Sequence, residues 1–329
     1  MDLFIEKIGT KISYEKGYFI LENKDEKTKH LSFDNIDNIL INQGCTLTTN
    51  FIKNAILKDI NIYFIDEYGN IYGNISSVIY NINPEIKITQ LKKFPTSFGK
   101  NIGKEWIIEK INNQKSHLQK IYSRRGITNN FLEIEKEFNF LIENIRKIDL
   151  NCEQYNNIIM GYEGRASVVY FENIKKFLPK SWQFEKRETQ GATEPYNIVL
   201  NYIFGVLYFK IEKSLTLAGL DIQIGIIHSL GKNRKSLVYD FIEPFRFLGW
   251  EITFLLFSKK MLNKSDFDLE ERKINSNGKK VIIQELYSRL NNIIEYNGKK
   301  IKFEEIIRKK ANLLVKELMK DEIYNKLWY

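Results

Sequence analysis

The sequence predicts an α+β fold in which a small β-rich N-terminal domain with one helix precedes a larger, mostly α-helical domain. Short runs of β-branched and aromatic residues fill residues 2–41 and recur at 61–76, which is typical of strands. Later segments instead place apolar residues at helical spacing. Because 329 residues suffice for about two domains, we assign 1–78 to the first domain, 79–92 to a linker and 93–329 to the second.

Hairpins are the expected connections in the first domain, because Gly17 and the charged turn Lys24–Lys29 separate short apolar runs. One helix interrupts the strands at Thr46–Lys58, where Phe51 and Ala55 share a helical face. The predicted strands are Leu3–Ile5, Lys11–Tyr14, Tyr18–Leu21, Ile36–Ile41, Asn61–Asp66 and Asn70–Ser76.

The linker prediction rests on Pro84 and Pro95, since the strand periodicity is lost around them. Beyond the linker the sequence predicts helices. Thr193-Glu194-Pro195 is typical of a helix start and Gly219 of a helix end. The predicted helices cover residues 103–119, 129–148, 160–177, 195–218, 279–293 and 303–319.

Charge is distributed unevenly along the chain. The formal net charge is +9, yet residues 1–80 contain 8 Lys and no Arg against 11 Asp and Glu, so the rest of the chain carries +12. A basic surface favours an anionic partner, either nucleic acid or a membrane surface. The acidic N-terminal domain is better suited to protein contacts.

Cysteine usage and hydropathy predict a soluble, cytoplasmic protein. Cys45 and Cys152 lack the spacing of a zinc site or of a disulfide framework. Asp2 and Glu6 lie where a secretory signal would have basic residues. The apolar run Tyr202–Phe209 is far shorter than the roughly 20 residues that cross a membrane. We therefore expect no membrane partner.

Glu163, His228 and Asp240 are candidate ligands for a divalent cation, although each also has a structural interpretation. Glu163 lies near a predicted helix start, where an acid is favoured by the helix dipole. His228 follows an apolar stretch, which is typical of a core histidine. Glu243 shares a face with Asp240 if that segment is helical, but Pro244 must then start or kink the helix.

Two carboxylates and one imidazole form a donor set suited to Mg²⁺ or Mn²⁺, and the imidazole favours Mn²⁺. A metal held in this way can activate a nucleophile and polarise a phosphodiester. The basic segment Lys232–Lys235, between His228 and Asp240, suits a phosphate group. We find no Ser/His/Asp or Cys/His set, Walker loop or Rossmann glycine pattern that offers another chemistry. Spacing alone does not show whether the three candidate ligands meet.

Several motifs occur in a fixed order between residues 161 and 250. They are Glu163-Gly164 with Tyr170-Phe171, Pro195 and Asn197 with Leu200-Asn201-Tyr202, Ala218–Asp221 with His228-Ser229, and Asp240–Arg246. In this order they resemble the CRISPR adaptation integrases, the first of the two universal families of CRISPR-associated proteins. The Lys110–Gln114 segment adds a weaker match, while Glu194, Ile222 and Phe247 depart from the usual pattern.

The resemblance implies that Glu163, His228 and Asp240 are catalytic metal ligands, with Glu243 as an assisting acid. It implies a metal-dependent endonuclease and integrase that joins 3′-hydroxyl ends of foreign double-stranded DNA fragments to phosphodiesters of the CRISPR repeat. The β-rich domain would form a homodimer, and a small ferredoxin-like partner would bridge two such dimers.

Five basic residues lie nearest these candidate ligands in the sequence, and we expect them to contact DNA phosphates. For each of them a solvated surface role is the alternative. They are Arg165, Lys232, Arg234, Lys235 and Arg246.

Two other functions are compatible with these residues. An unrelated metal-dependent nuclease would release DNA fragments without joining them to a repeat. A non-catalytic DNA-binding scaffold would use the three candidate ligands structurally, and its DNA binding would not depend on metal.

Overall fold

The chain forms two compact units, Met1–Tyr80 and Asn81–Tyr329. The first is β-rich and the second is mostly helical, which confirms the predicted α+β fold class. The predicted domain boundary at residue 78 lies outside the described residues. A computed structural model describes residues 2–5, 7–33, 36, 38–58, 60–66, 71–75, 83–228, 231, 234–268 and 270–320.

The described strands of the first unit form two sheets. They are β1 Asp2–Ile5, β2 Lys11–Glu15, β3 Tyr18–Asn23, β4 Glu26–Leu31, β5 Asn38–Ile41, β6 Thr46–Leu47, β7 Asn61–Ile65 and β8 Ile71–Ile75. One sheet has the order β1-β5-β7-β8, in which β8 alone pairs antiparallel. The other has the order β4-β3-β2-β6, in which β6 is parallel to β2.

Helix α1, Thr49–Leu57, packs against β2 of one sheet and β7 of the other. Thr48 caps the helix by accepting a hydrogen bond of 3.3 Å from the Phe51 amide. Phe51 and Ala55 lie one turn apart on its buried face. The ring of Phe19 meets that of Phe51 edge to face at 4.9 Å, so aromatic packing fixes the centre of this core.

The segment Lys24–Lys29, predicted to be a turn, is largely the strand β4. This strand pairs with β3 at the edge of its sheet, and its residues are exposed up to Leu31. An exposed, lysine-bearing edge strand has no apolar alternation, so its charge pattern resembles that of a turn.

The described part of the second unit contains two short hairpins among its helices, β9 Phe267–Asp268 with β10 Lys273–Ile274 and β11 Ile293–Tyr296 with β12 Lys299–Lys302. No helix in the described part of the chain has the length and hydropathy needed to cross a membrane. The helices are α2 Pro84–Lys93, α3 Ser97–Arg124, α4 Leu132–Arg146, α5 Tyr155–Ile174, α6 Pro195–Leu217, α7 Ser236–Phe241, α8 Arg246–Ser258, α9 Ser276–Asn291 and α10 Phe303–Leu318.

Two helices organise this unit. Helix α6 is buried along most of its length and packs against α7, α8, α9 and α10, as expected for a helix that is apolar on all sides. It starts at Pro195 and ends before Gly219, whose φ of 84° favours glycine. Helix α3 has 28 residues, is roughly 42 Å long, and packs against α4, α5 and α8.

Part of the predicted linker is helical, because residues 84–92 belong to α2. Asn83 caps this helix by accepting a hydrogen bond of 3.0 Å from the Glu85 amide. Pro84 takes the first helical position, where its missing N–H costs nothing. A proline that suggests a linker when considered alone therefore marks a helix start here. Residues 79–82 lie outside the described residues.

We expect Phe51→Ala to lower the local free energy of unfolding of the first unit by about 3–5 kcal/mol, because the lost ring leaves a cavity. Amide hydrogen exchange along β5 and β7 would measure this as faster exchange. Leu57→Ala is the matched control, since Leu57 lies on the same helix with 68% of its surface exposed. Equal acceleration by both variants would contradict the packing described here.

Candidate active site

The candidate residues lie where three elements of the second unit meet. Helix α3 packs against α5 and against the short 3₁₀ turn Glu243–Phe245, which separates α7 from α8. Lys110 lies in α3, Glu163 in α5, and Glu243 at the first position of the turn. Pro244 explains the break in the helix, since it has no N–H to donate.

Lys110 forms ion pairs with both Glu163 and Glu243. The Lys110 side chain is 8% exposed, that of Glu243 is 4% exposed and that of Glu163 is 22% exposed. The Glu243 Oε2 atom is buried and receives no well-directed hydrogen bond in addition to this ion pair. Two carboxylates from different helical segments thus share one buried cation.

Each acid is also held by neutral or cationic donors. Ser167 Oγ donates to Glu163 Oε1 at 2.9 Å, and Gln114 Nε2 donates to Ser167 Oγ at 3.2 Å. Arg246 Nε donates to Glu243 Oε1 at 2.8 Å. The four charged side chains of this acid cluster, Lys110, Glu163, Glu243 and Arg246, carry two positive and two negative charges, so the cluster is neutral.

These ion pairs shift the ionisation of the cluster. Burial alone would raise the pKa of Glu243, but the Arg246 and Lys110 cations lower it to about 2. Burial opposes the charged form of Lys110, yet Glu163 and Glu243 raise its pKa above the usual value. Burial likewise opposes the charge on Arg246, and Glu243 and Tyr208 raise its pKa. Lys110, Glu243 and Arg246 are therefore ionised at neutral pH.

Asp240 and His228 form a second pair. The Asp240 carboxylate is fully buried and accepts hydrogen bonds from the backbone amides of Ile226, Ile227 and His228 at 2.6, 3.1 and 3.1 Å. It also accepts one from His228 Nδ1 at 2.5 Å. Because Nδ1 donates to a carboxylate, Nε2 is the ring atom of His228 that can bind a ligand.

Gly225 allows this loop to approach Asp240 closely. A Cβ atom at this position would lie 2.6 Å from Ser236 Cβ and 2.9 Å from Asp240 Oδ2. The Leu237 amide also donates to the Ile222 carbonyl at 3.0 Å, which fastens the loop to α7. A side chain at residue 225 would therefore push the loop amides off the Asp240 carboxylate.

Aromatic rings connect His228 with the acid cluster. The His228 ring lies 5.9 Å from Tyr239, and Tyr239 lies 5.4 Å from Tyr208. Arg246 Nη2 donates to the Tyr208 hydroxyl at 3.1 Å. The Asp240–His228 pair and the acid cluster are thus parts of one packed region of the second unit.

The predicted ligands form two pairs rather than one group. Within the described residues, no three His, Cys, Asp or Glu side chains are close enough together to hold a metal ion. The physical reasons are visible: the Lys110 ammonium separates Glu163 from Glu243, and Asp240 commits both oxygens to the loop and to His228.

The predicted phosphate contacts lie in different surroundings. Arg165 is 56% exposed and pairs with Glu137 at 2.6 Å. Lys235 pairs with Glu212 at 2.7 Å, and Arg234 is exposed. Arg246 instead belongs to the acid cluster, where its side chain is 16% exposed. Lys232 lies outside the described residues.

Sequence reasoning missed the central position of Lys110. The available signal is its spacing, because Lys110 and Gln114 lie one turn apart on α3 and interrupt a buried apolar face that includes Ile107 and Ile111. Polar residues on the core face of a helix need partners. The sequence alone does not show that those partners lie 53 and 133 residues further along the chain.

Several solved structures have the same fold as this chain. A chain described as "Casposase bound to integration product" superposes with a TM-score of 0.84 at 21% identity, covering 100% of this chain and 94% of that one. A "Cas6-RT-Cas1--Cas2 complex" chain matches with a TM-score of 0.80 at 19% identity, covering 98% of this chain and 35% of that one. The fold is the one shared by casposases and Cas1 proteins.

The sequence comparison specifies the family. The profile described as "CRISPR associated protein Cas1" matches residues 3–288. The "CRISPR-associated endonuclease Cas1 2" of Saccharolobus solfataricus is 29% identical over 244 residues, which is 74% of this chain and 71% of that protein. The chain belongs to the Cas1 family, as the resemblance of its motifs predicted.

We expect Gly225→Ala to displace the Asp240 carboxylate and to uncouple His228 from it. DNA cleavage by the purified protein should fall at least about tenfold, as for other lost partners of a functional histidine. Gly164→Ala is the matched control, because it neighbours Glu163 on α5 and an added Cβ there meets nothing within 4 Å. Unchanged cleavage by Gly225→Ala would show that the Asp240–His228 pair is not needed.

Lowering the pH should reduce the free energy of unfolding of the wild type more than that of the Glu243→Gln variant. A folded-state pKa lowered from 4.5 to about 2 gives Glu243 a stabilising contribution that is complete above 4.5 and is lost as the pH falls toward 2. Urea unfolding at several pH values would measure the free energy of unfolding of both proteins. The difference between them should narrow from pH 5 toward pH 2, and a constant difference would contradict the lowered pKa.

Proposed function

We propose that this chain is a metal-dependent DNA endonuclease and strand-transfer integrase of CRISPR spacer acquisition. Its family membership, a relative named an endonuclease and a fold shared with a casposase bound to integration product support this function. The observation that carries the proposal is a pair of carboxylates, the buried Glu243 and the partly buried Glu163, that share one cation and are linked through aromatic rings to an Asp240–His228 pair.

The donor set of this region fits Mg²⁺ or Mn²⁺. Glu163 and Glu243 already converge on a positive charge, and Glu243 Oε2 is a buried oxygen with unused hydrogen-bonding capacity. His228 donates its Nδ1–H to a carboxylate, the usual arrangement of a metal-binding histidine. Glu163 and Glu243 would hold the cation, and His228 Nε2 would complete the ligand set after moving toward them, since no three such side chains lie close enough together among the described residues.

Asp240, which the sequence predicts as a ligand, has a different role in this proposal. Its carboxylate is fully buried and already accepts four hydrogen bonds, which a cation would have to displace. Asp240 therefore orients His228, and Glu243 takes the place of the second acidic ligand. Because the two acids are three residues apart, sequence spacing alone does not separate their roles.

In the proposed strand transfer, the 3′-hydroxyl oxygen of a DNA fragment bonds to a phosphorus atom of the repeat. The attacking hydroxyl gives up its proton to solvent, the existing phosphorus–oxygen bond to the adjacent nucleotide breaks, and the released 3′-oxygen takes up a proton. A bound divalent cation would polarise the phosphodiester and lower the pKa of the attacking hydroxyl. Arg246 keeps Glu243 ionised, and Asp240 fixes the tautomer of His228.

Phosphate contacts are proposed for the exposed basic residues near the site. Arg165 and Lys235 pair with exposed or half-buried acids, so a DNA phosphate can replace Glu137 or Glu212 at little cost. Arg246 is committed to Glu243 and is better described as a positioning residue. The +12 charge beyond residue 80 supports double-stranded DNA as the ligand of the second unit.

Protein partners are proposed for the first unit and for the assembly. The net charge of −3 over residues 1–80 makes this unit a poor DNA surface, and homodimer formation through it remains our expectation. A structural neighbour forms part of a complex with Cas2. A small ferredoxin-like protein that bridges two dimers remains our expectation for this chain, as does a cytoplasmic location.

We expect Glu163→Gln, Glu243→Gln and His228→Ala each to reduce joining of a labelled fragment to a repeat-bearing plasmid by about 100-fold or more. Asp240→Asn should cost about 10- to 100-fold, as an orienting residue does. The assay contains the small partner and Mn²⁺ or Mg²⁺, and DNA binding is measured separately. Glu172→Gln, on the same helix as Glu163, is the control and should join DNA at the wild-type rate.

Two outcomes would contradict this function, and a third would change the assignment of the acidic ligand. Cutting without joining by the wild type would indicate an unrelated nuclease. DNA binding with neither cutting nor joining in either metal would indicate a scaffold. Wild-type joining by Glu243→Gln, together with complete loss in Asp240→Asn, would restore Asp240 as the acidic ligand.

A further inference from the structure

Lys110 is a buried ammonium group whose position needs a physical reason. Taking a lysine charge out of water costs several kcal/mol unless it is paired. Its side chain is 8% exposed and extends from the middle of α3 to Glu163 on one side and Glu243 on the other. Lys104, the other buried lysine of α3, donates to the Arg146 backbone carbonyl at 3.5 Å instead of to an acid. The remaining lysines of this helix lie nearer to solvent.

The two acids in turn depend on the positive charge of Lys110. Carboxylates that share a buried site raise each other's free energy, and one of them then tends to take up a proton. Arg246 compensates Glu243, but the remaining donors to Glu163 are neutral, namely Ser167 and, behind it, Gln114. Lys110 therefore supplies the positive charge that balances Glu163 and joins α3 to both acids.

We propose that Lys110 is an internal counter-cation, a positioning residue that holds Glu163 and Glu243 together in the metal-free protein and competes with a divalent cation for the same two carboxylates. The ion pairs alone support the counter-cation role. The competition rests on the function proposed above, because it requires that the two acids bind metal.

Charge balance predicts the direction in which each substitution should change the stability of the protein. Lys110→Met leaves two carboxylates with Arg246 alone, so the acid cluster acquires a net charge of −1. Adding Glu163→Gln to this variant removes the uncompensated carboxylate, and the amide oxygen can still accept the hydrogen bond from Ser167. If Lys110 acts as a counter-cation, the second substitution must partly repair the first.

The first experiment measures thermal unfolding of the full chain in EDTA. Lys110→Met should lower the midpoint by about 4 °C or more, and Lys110→Met/Glu163→Gln should recover at least half of that loss. Lys104→Met, alone and with Glu163→Gln, is the matched control, since Lys104 is a buried lysine of the same helix that does not pair with either acid. No recovery, or equal recovery with Lys104→Met, would overturn the proposal.

Should Lys110→Met fail to fold, the double variant still decides the question. A double variant that is folded and soluble supports the counter-cation role, because the second substitution has then restored the charge balance. A double variant that also fails to fold, while Glu163→Gln alone folds, overturns it and gives Lys110 a packing role.

The second experiment measures Mn²⁺ binding by electron paramagnetic resonance of the free ion, without DNA. Removing a positive charge next to the acids should tighten Mn²⁺ binding by at least about tenfold in Lys110→Met, with no change in Lys104→Met. Equal or weaker binding in Lys110→Met would overturn the competition. If the wild type binds no Mn²⁺ while the repair in EDTA is seen, the counter-cation role is supported and the proposed metal-dependent function fails.

Discussion

The buried carboxylate of Asp240 is the constraint on which the local architecture depends. A carboxylate without solvent contact must receive several hydrogen bonds, and here three come from consecutive backbone amides of one loop. These bonds fix the loop after α6 against the last turn of α7 and, through Nδ1, set the orientation of His228. Gly225 is part of the same constraint, because a side chain there would occupy the space of the carboxylate.

The acid cluster applies the same physics to net charge. Lys110 and Arg246 bring two positive charges to Glu163 and Glu243, so the helical core contains a neutral set of four ionised groups. Replacing one member leaves its partner buried and unbalanced, which makes the cluster more sensitive to single substitutions than to paired ones. The cluster also ties α3, α5 and the turn before α8 to one another, so the chemistry of the site and the packing of these helices are not separable.

Local signals in the sequence predicted much of the fold but not the arrangement of the site. The start of α6 at Pro195 and its end before Gly219 were predictable, because capping and chain termination depend on neighbouring residues. The exposed strand β4 was missed since it has no buried face, and α2 was missed because Pro84 has opposite meanings in a linker and at a first helical position. Glu163, His228 and Asp240 were recognised as polar residues in apolar surroundings. Their arrangement in two separate pairs was not predictable, because it depends on Lys110, which reaches Glu243 across 133 residues of sequence.

Helix α3 is continuous over 28 residues, which limits how sequences of this kind can diverge. Over about three helical turns this helix presents Gly103 to Ile227 of the histidine loop, Lys110 to the two acids, and Asn113 to the Pro244 carbonyl at 3.0 Å. One inserted or deleted residue would rotate everything beyond it by about 100° around the helix axis and would move at least one of these contacts off its partner. Length variation among descendants of this sequence is therefore confined to the ends of α3, while substitutions can accumulate on its outer face.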